Sequence, residues 1–168
     1  MIRTLRLPLV LLFLASCASY SDRVSSRTET LPSIHLASLQ GQTVAVDVRQ
    51  RVDRTTIFTK LMRDDLERSF EKAGVHVGVA APVQLNVMID YLDTDYRTGR
   101  WESCAQATAE VVRDGQVIAK PVSKYCTSET VNPWEVASTN EGLNPAEART
   151  RTYYGLVSDL LVKLEKSL

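Results

Sequence analysis

The chain has 168 residues, 44% of them apolar, and its 20 Lys and Arg balance 20 Asp and Glu. A neutral chain with 24% charged residues argues against nucleic-acid binding through a basic surface, and its apolar share is too high for a mainly disordered protein. The length fits one globular domain plus a short additional segment.

Met1 to Ser16 reads as an export signal. Arg3 and Arg6 supply a charged start, Leu7 to Leu14 an apolar core, and small residues precede Cys17. The apolar run is much shorter than the ~20 residues a spanning helix needs. Leu14-Ala15-Ser16-Cys17 resembles the lipobox of bacterial lipoproteins. That resemblance implies that the Cys17 thiol carries acyl chains such as palmitate and becomes the mature N-terminus. Each buried methylene contributes ~0.8 kcal/mol and one chain alone is marginal, so two or three chains give a stable membrane anchor. In such lipoproteins an Asp after the Cys favours inner-membrane retention. Ala18 and Ser19 stand here, which implies outer-membrane sorting with the domain facing the periplasm. The competing reading is a soluble secreted protein in which Cys17 falls at this position by chance.

Residues 17–40 are rich in Ser and Thr with weak periodicity, as expected of a flexible tether, so a single domain is predicted over 41–168. Thr43–Val48 alternates as a half-buried strand. A helix follows, capped by Thr55 or Thr56, with Ile57, Leu61, Met62, Leu66, Phe70 and Ala73 as its apolar stripe. It ends at Gly74. Val75–Val79 reads as a short strand, and strand, helix, strand implies a parallel crossover. The clearest strand is Val83–Tyr91, whose odd positions are apolar.

Arg113-Asp114-Gly115-Gln116 signals a hairpin turn between strands Ser103–Arg113 and Gln116–Cys126. In an oxidising periplasm Cys104 and Cys126 are expected to form a disulfide. A strict two-residue loop would place Cys104 opposite Tyr125 and leave Cys126 on the other face. The bond therefore requires a longer loop or a bulge, at Gly115 or near Pro121. Two Cys without a nearby His make a poor zinc site. From Thr127 to Leu143 no period persists, so a long loop is expected. The last helix is marked by Asn144 as cap, Pro145 at the first position and Glu147 three residues after the cap. Its stripe is Tyr153, Leu156, Val157, Leu160, Leu161, Leu164 and Leu168, with one of Tyr153 and Tyr154 inward. The fold class is α/β: a two-layer sandwich of a mixed sheet of about five strands with two helices on one face, in the order β-α-β-β-β-β-α.

No motif of known catalytic mechanism occurs, and neither His35, in the tether, nor His76, on the short strand, has neighbours suggesting a triad. The chain is therefore expected to be no enzyme and to need no cofactor or metal. Asp93 and Asp95 share a strand face while Asp90 is expected to point away, and together they lack the ligands of a calcium loop. Tyr96, Arg97, Arg100 and Trp101, between the long strand and the hairpin, combine aromatic and guanidinium groups of the kind enriched at interfaces. Trp134 joins them if the long loop folds over the hairpin end. The plainer alternative is that both tryptophans pad the core edge.

The order lipobox, tether, Gly41-x-x-Val44-x-Val46, helix with Arg63-Asp64-x-Leu66, Gly74-x-x-Val77 and Val83-x-Leu85-x-Val87 resembles the YajG-type envelope lipoproteins. More loosely it is similar to other small α/β lipoproteins, such as the lipopolysaccharide-assembly lipoprotein and the auxiliary lipoproteins of lipid-transport ABC systems. The resemblance covers roughly residues 1–120 and implies a non-enzymatic accessory or scaffold role in envelope assembly or maintenance, with an envelope protein as partner. The alternative is a lipid or glycolipid carrier, which needs an apolar cavity between helices and sheet.

Overall fold

The computed structural model describes residues 30–51, 57–130 and 145–168. Cys17, the Thr55 or Thr56 cap, Trp134, Asn144 and most of the expected 127–143 loop lie outside the described residues. Six strands form one mixed sheet: β1 (Thr43–Gln50), β2 (His76–Val77), β3 (Val83–Arg97), β4 (Arg100–Arg113), β5 (Gln116–Ala119) and β6 (Val122–Thr130). Their order is β2-β1-β3-β4-β5, with β6 also on β4. β1 is parallel to β2 and β3, and β4 is antiparallel to β3, β5 and β6. Two helices, α1 (Ile57–Lys72) and α2 (Pro145–Ser167), cover one face. This is the expected α/β sandwich, with its last strand divided at Lys120–Pro121, where Pro cannot donate to a ladder.

Strand alternation fills the layer between sheet and helices. Val83, Leu85, Val87 and Ile89 of β3 face Val111, Ala109, Ala107 and Ala105 of β4, all buried. The three alanines let α2 lie close to the sheet, where Leu156, Val157, Leu160, Leu161 and Leu164 complete the core. On α1 the expected Met62, Leu66 and Phe70 are buried together with Phe58. The α1 C-terminus is closed by the Val75 N–H donating to the Phe70 carbonyl at 3.0 Å, around Gly74 in the left-handed region. The tyrosine of β6, Tyr125, lies across Gly155 of α2, and a Cβ there would come within 2.3 Å of its ring, so only glycine admits the contact.

The packed region begins upstream of Gly41. Ile34, Leu36 and Leu39 are buried and Leu31 is partly so, with a 3-10 turn at Ala37–Leu39. This segment is tied to both layers: the His35 backbone N–H donates to Glu165 of α2 at 2.7 Å, and Arg113 of β4 donates to the Ser38 carbonyl at 3.2 Å. The expected tether thus gives up its last residues to the core. The polar residues among them hid four apolar side chains that each find a site.

Asp114 and Gly115 both have positive φ, a two-residue turn of the kind that follows strand twist. Arg113 stays opposite Gln116 and Val112 opposite Val117, and the register then shifts so that Val111 faces Ala119. The extra residue, Ile118, is the bulge that sets Cys104 directly opposite Cys126. The two form a disulfide, their Cα atoms 4.1 Å apart.

Candidate interaction surface

A second bulge decides what the uncovered sheet face presents. Ile89 faces Ala107, yet Tyr91 faces Gln106, so Asp90 is the extra residue on β3. Plain alternation would send Asp90 away from Asp93 and Asp95. The bulge instead brings it to their face, where it accepts from Gln106 at 3.2 Å and Thr108 at 3.0 Å and pairs with Arg51 at 2.9 Å. Its side chain is only 12% exposed, and these three donors compensate the lost water. Asp93 and Asp95 follow on the same face opposite Cys104 and Glu102. Among the described residues no group of three or more His, Cys, Asp or Glu is placed to hold a metal.

Beyond Asp90 the same face forms an open groove of about 750 Å³. Its floor is Asn86, Met88 and Thr108, and its walls carry Asp47, Arg49, Arg51, Glu110 and Lys120. The charges are matched: Arg49 meets Asp47 at 2.7 Å and Lys120 meets Glu110 at 2.6 Å. Arg63 of α1 reaches round the β1 edge to Asp47 at 3.4 Å. Such half-exposed pairs contribute little to folding, and their exchange for a partner's charges costs correspondingly little. The groove signal was present in the sequence as the polar half of each alternating strand, but the convergence of β1, β3, β4 and β6 was not.

Tyr96, Arg97, Arg100 and Trp101 lie at one place, though in a different setting from the expected connection. β3 runs on to Arg97 and β4 starts at Arg100, so the four residues form a hairpin tip closed by Thr98 and Gly99, both at positive φ. Tyr96 packs edge-on against Trp101 with centroids 5.2 Å apart. Arg97 pairs with Asp95 at 2.9 Å and Arg100 with Glu102 at 2.8 Å, on the opposite face of the hairpin. Tyr96 is exposed, whereas the Trp101 indole nitrogen is buried without a hydrogen-bond partner. The sequence marked these residues by type; the turn signal in Thr98-Gly99 was the part that went unread.

Sequence reasoning also missed a polar contact between the helices. Asp65 of α1, 3% exposed, accepts from the Tyr153 hydroxyl of α2 at 2.7 Å and pairs with Arg68. Burial, and then the Asp65 carboxylate beside it, push the Tyr153 phenol far above its ordinary range, so it stays a donor. At the sheet edge Asp159 accepts from Ser123 and pairs with Lys163, each at 2.7 Å. Burial alone would raise its carboxyl, but the bonds from Lys163 and Ser123 outweigh it and hold the group below the usual carboxylate value. The space between helices and sheet, where a lipid carrier would need its cavity, is filled by the core side chains.

No protein-family model matches the sequence, and no curated protein does. Solved structures share the fold. A Xanthomonas campestris protein of the DUF330 family is 12% identical with a TM-score of 0.58, over 82% of this chain and 93% of that one. The PelC dodecamer of Paraburkholderia phytofirmans gives 11% and 0.52, over 82% and 93%. A lipoprotein of Neisseria meningitidis is 11% identical with a TM-score of 0.47, over 57% of this chain and 90% of that one.

Proposed function

We propose that this protein is a lipoprotein held in the bacterial outer membrane by acyl chains on Cys17, and that its periplasmic domain is a non-enzymatic accessory or scaffold factor for envelope assembly or maintenance. The Leu14–Cys17 lipobox supports the anchor, and the YajG-type spacing supports the role. The observation that carries the scaffold reading is the uncovered sheet face, where a wide groove is walled by exchangeable ion pairs rather than enclosed by apolar side chains. A rigid, charge-patterned, open surface suits a protein partner better than a lipid chain.

Two experiments test this. Cys17→Ala is expected to release a folded domain from the membrane fraction; retention after salt and carbonate washing would refute the anchor. A photoreactive residue at Met88 in intact cells is expected to capture one recurrent envelope protein, with capture lost on Arg49→Glu. Adducts of lipid or glycan alone would replace the scaffold reading by the carrier one.

A further inference from the structure

The sheet has two free edges, and they differ in a complementary way. On one side β2 pairs only with Thr43 and Val44, so from Ala45 to Gln50 no described strand lies beyond β1. On the other side no described strand lies beyond β6, which pairs with β4 alone. The Ala109 N–H donates to the Pro121 carbonyl, which sets the hydrogen-bonding phase of the β4–β6 ladder. Lys124 and Cys126 then fall at non-bonded positions, with their backbone N–H and C=O directed outwards. Lys163 caps the Val122 carbonyl at 2.9 Å.

Free edges invite pairing, and proteins that stay single blunt them with charge, proline or short strands. The β5–β6 edge carries the opposite. Val117, Ile118, Val122 and Tyr125 are between 40% and 54% exposed and make up four of the six exposed large hydrophobics among the described residues.

We infer that β6 of one copy of this chain pairs with β1 of the next, head to tail. Within one chain β6 runs in the same direction as β1, because two antiparallel pairings separate it from β3, to which β1 is parallel. A second copy placed beside the first by rotation therefore continues the sheet with β6 and β1 parallel. Strand faces then match. On the open face β6 presents Val122 and Lys124, and β1 presents Ala45 and Asp47; on the helix face Tyr125 meets the partly exposed Val46. Lys124, exposed, gains Asp47 as a counter-charge, and Val122 and Tyr125 are covered. Two-fold pairing of β6 with itself would instead oppose Lys120, Lys124 and Lys163 with their own copies, which is unfavourable for charges facing each other across strands. A head-to-tail contact repeats, so it closes into a ring or extends as a filament. It stands on the sheet alone and does not depend on the partner proposed above.

The test uses the full chain solubilised in detergent. Sedimentation is expected to show an oligomer that shifts to monomer with Lys124→Glu and returns when Asp47→Lys is added to the same chain. In membranes, Val122→Cys combined with Ala45→Cys is expected to give a ladder of disulfide-linked species, with neither single variant crosslinking. A monomeric parent protein, an oligomer indifferent to Lys124→Glu, or dimers from Val122→Cys alone would each overturn the head-to-tail arrangement. Persistence of the Cys104–Cys126 bond by mass spectrometry reports that each variant is folded.

Discussion

The two faces of the sheet are written by the same strands and do opposite work. On the helix side β3 offers Val83, Leu85, Val87 and Ile89, every one buried, while one residue along, Gln84, Asn86 and Met88 line the open groove. The first set contributes stability through apolar burial, at about 25 cal/mol per Å² removed from water. The second contributes a surface whose charges are paired but accessible. The difference teaches that alternation alone assigns the faces only as far as Ile89. The bulge at Asp90 then moves Asp90 to the open side and leaves Leu92, Thr94 and Tyr96 on the helix side.

Deleting Asp90 breaks that comparison most severely. The rest of β3 would exchange faces, placing Asp93 and Asp95 against α2, and the cooperative unfolding transition seen by circular dichroism is expected to be lost. Within an intact sheet, Leu85→Ala is expected to cost about 2–5 kcal/mol in urea denaturation, whereas its neighbour Gln84→Ala should stay within about 0.5 kcal/mol. Equal effects would mean that the open face is covered.

Tyr153→Phe leaves Asp65 without its strongest neutral donor and is expected to cost about 1–3 kcal/mol. It also carries a pH signature. Because the Tyr153 phenol is raised in the folded state, its contribution is present below the ordinary value of 10.0 and is lost as pH rises above it. Tyr153→Phe should therefore flatten the alkaline fall in melting temperature. The smallest effect is expected on the acid side. Asp159 is lowered in the folded state, so its contribution is present above the ordinary carboxylate value and is lost as pH falls through the lowered one. Asp159→Asn should remove that part of the acid slope and leave the alkaline part unchanged.

The legible parts of the molecule were those governed by period. The α2 stripe from Tyr153 to Leu164, the β3 alternation as far as Ile89, and the need for a bulge between Cys104 and Cys126 all follow from side-chain geometry along one element. What was not legible depended on a partner elsewhere in the chain. Asp90 reads as an outward residue until Gln106, Thr108 and Arg51 are beside it. Asp65 reads as a solvated helix residue until Tyr153 arrives from α2. Leu31, Ile34, Leu36 and Leu39 read as stray apolar residues in a polar stretch until the core offers them places. The hairpin tip at Tyr96 to Trp101 was hidden for a simpler reason: Thr-Gly is a weaker turn signal than the Asp-Gly that marked the next hairpin.

The docked segment from Leu31 to Leu39 also decides how the domain meets mechanical load. Thr30 to Ser33 lie beside Asp65, Arg68 and Tyr154, so the chain enters over the helix layer, on the side away from the groove. With Cys17 as the anchor, the residues leading to Thr30 reach at most about 45 Å at roughly 3.5 Å each. At full stretch of that leash, the helices face the bilayer and the groove points outwards into the periplasm. A pull from the membrane is felt first by the Leu31–Leu39 contacts, which can peel away singly and lengthen the leash before any strand of the sheet is strained.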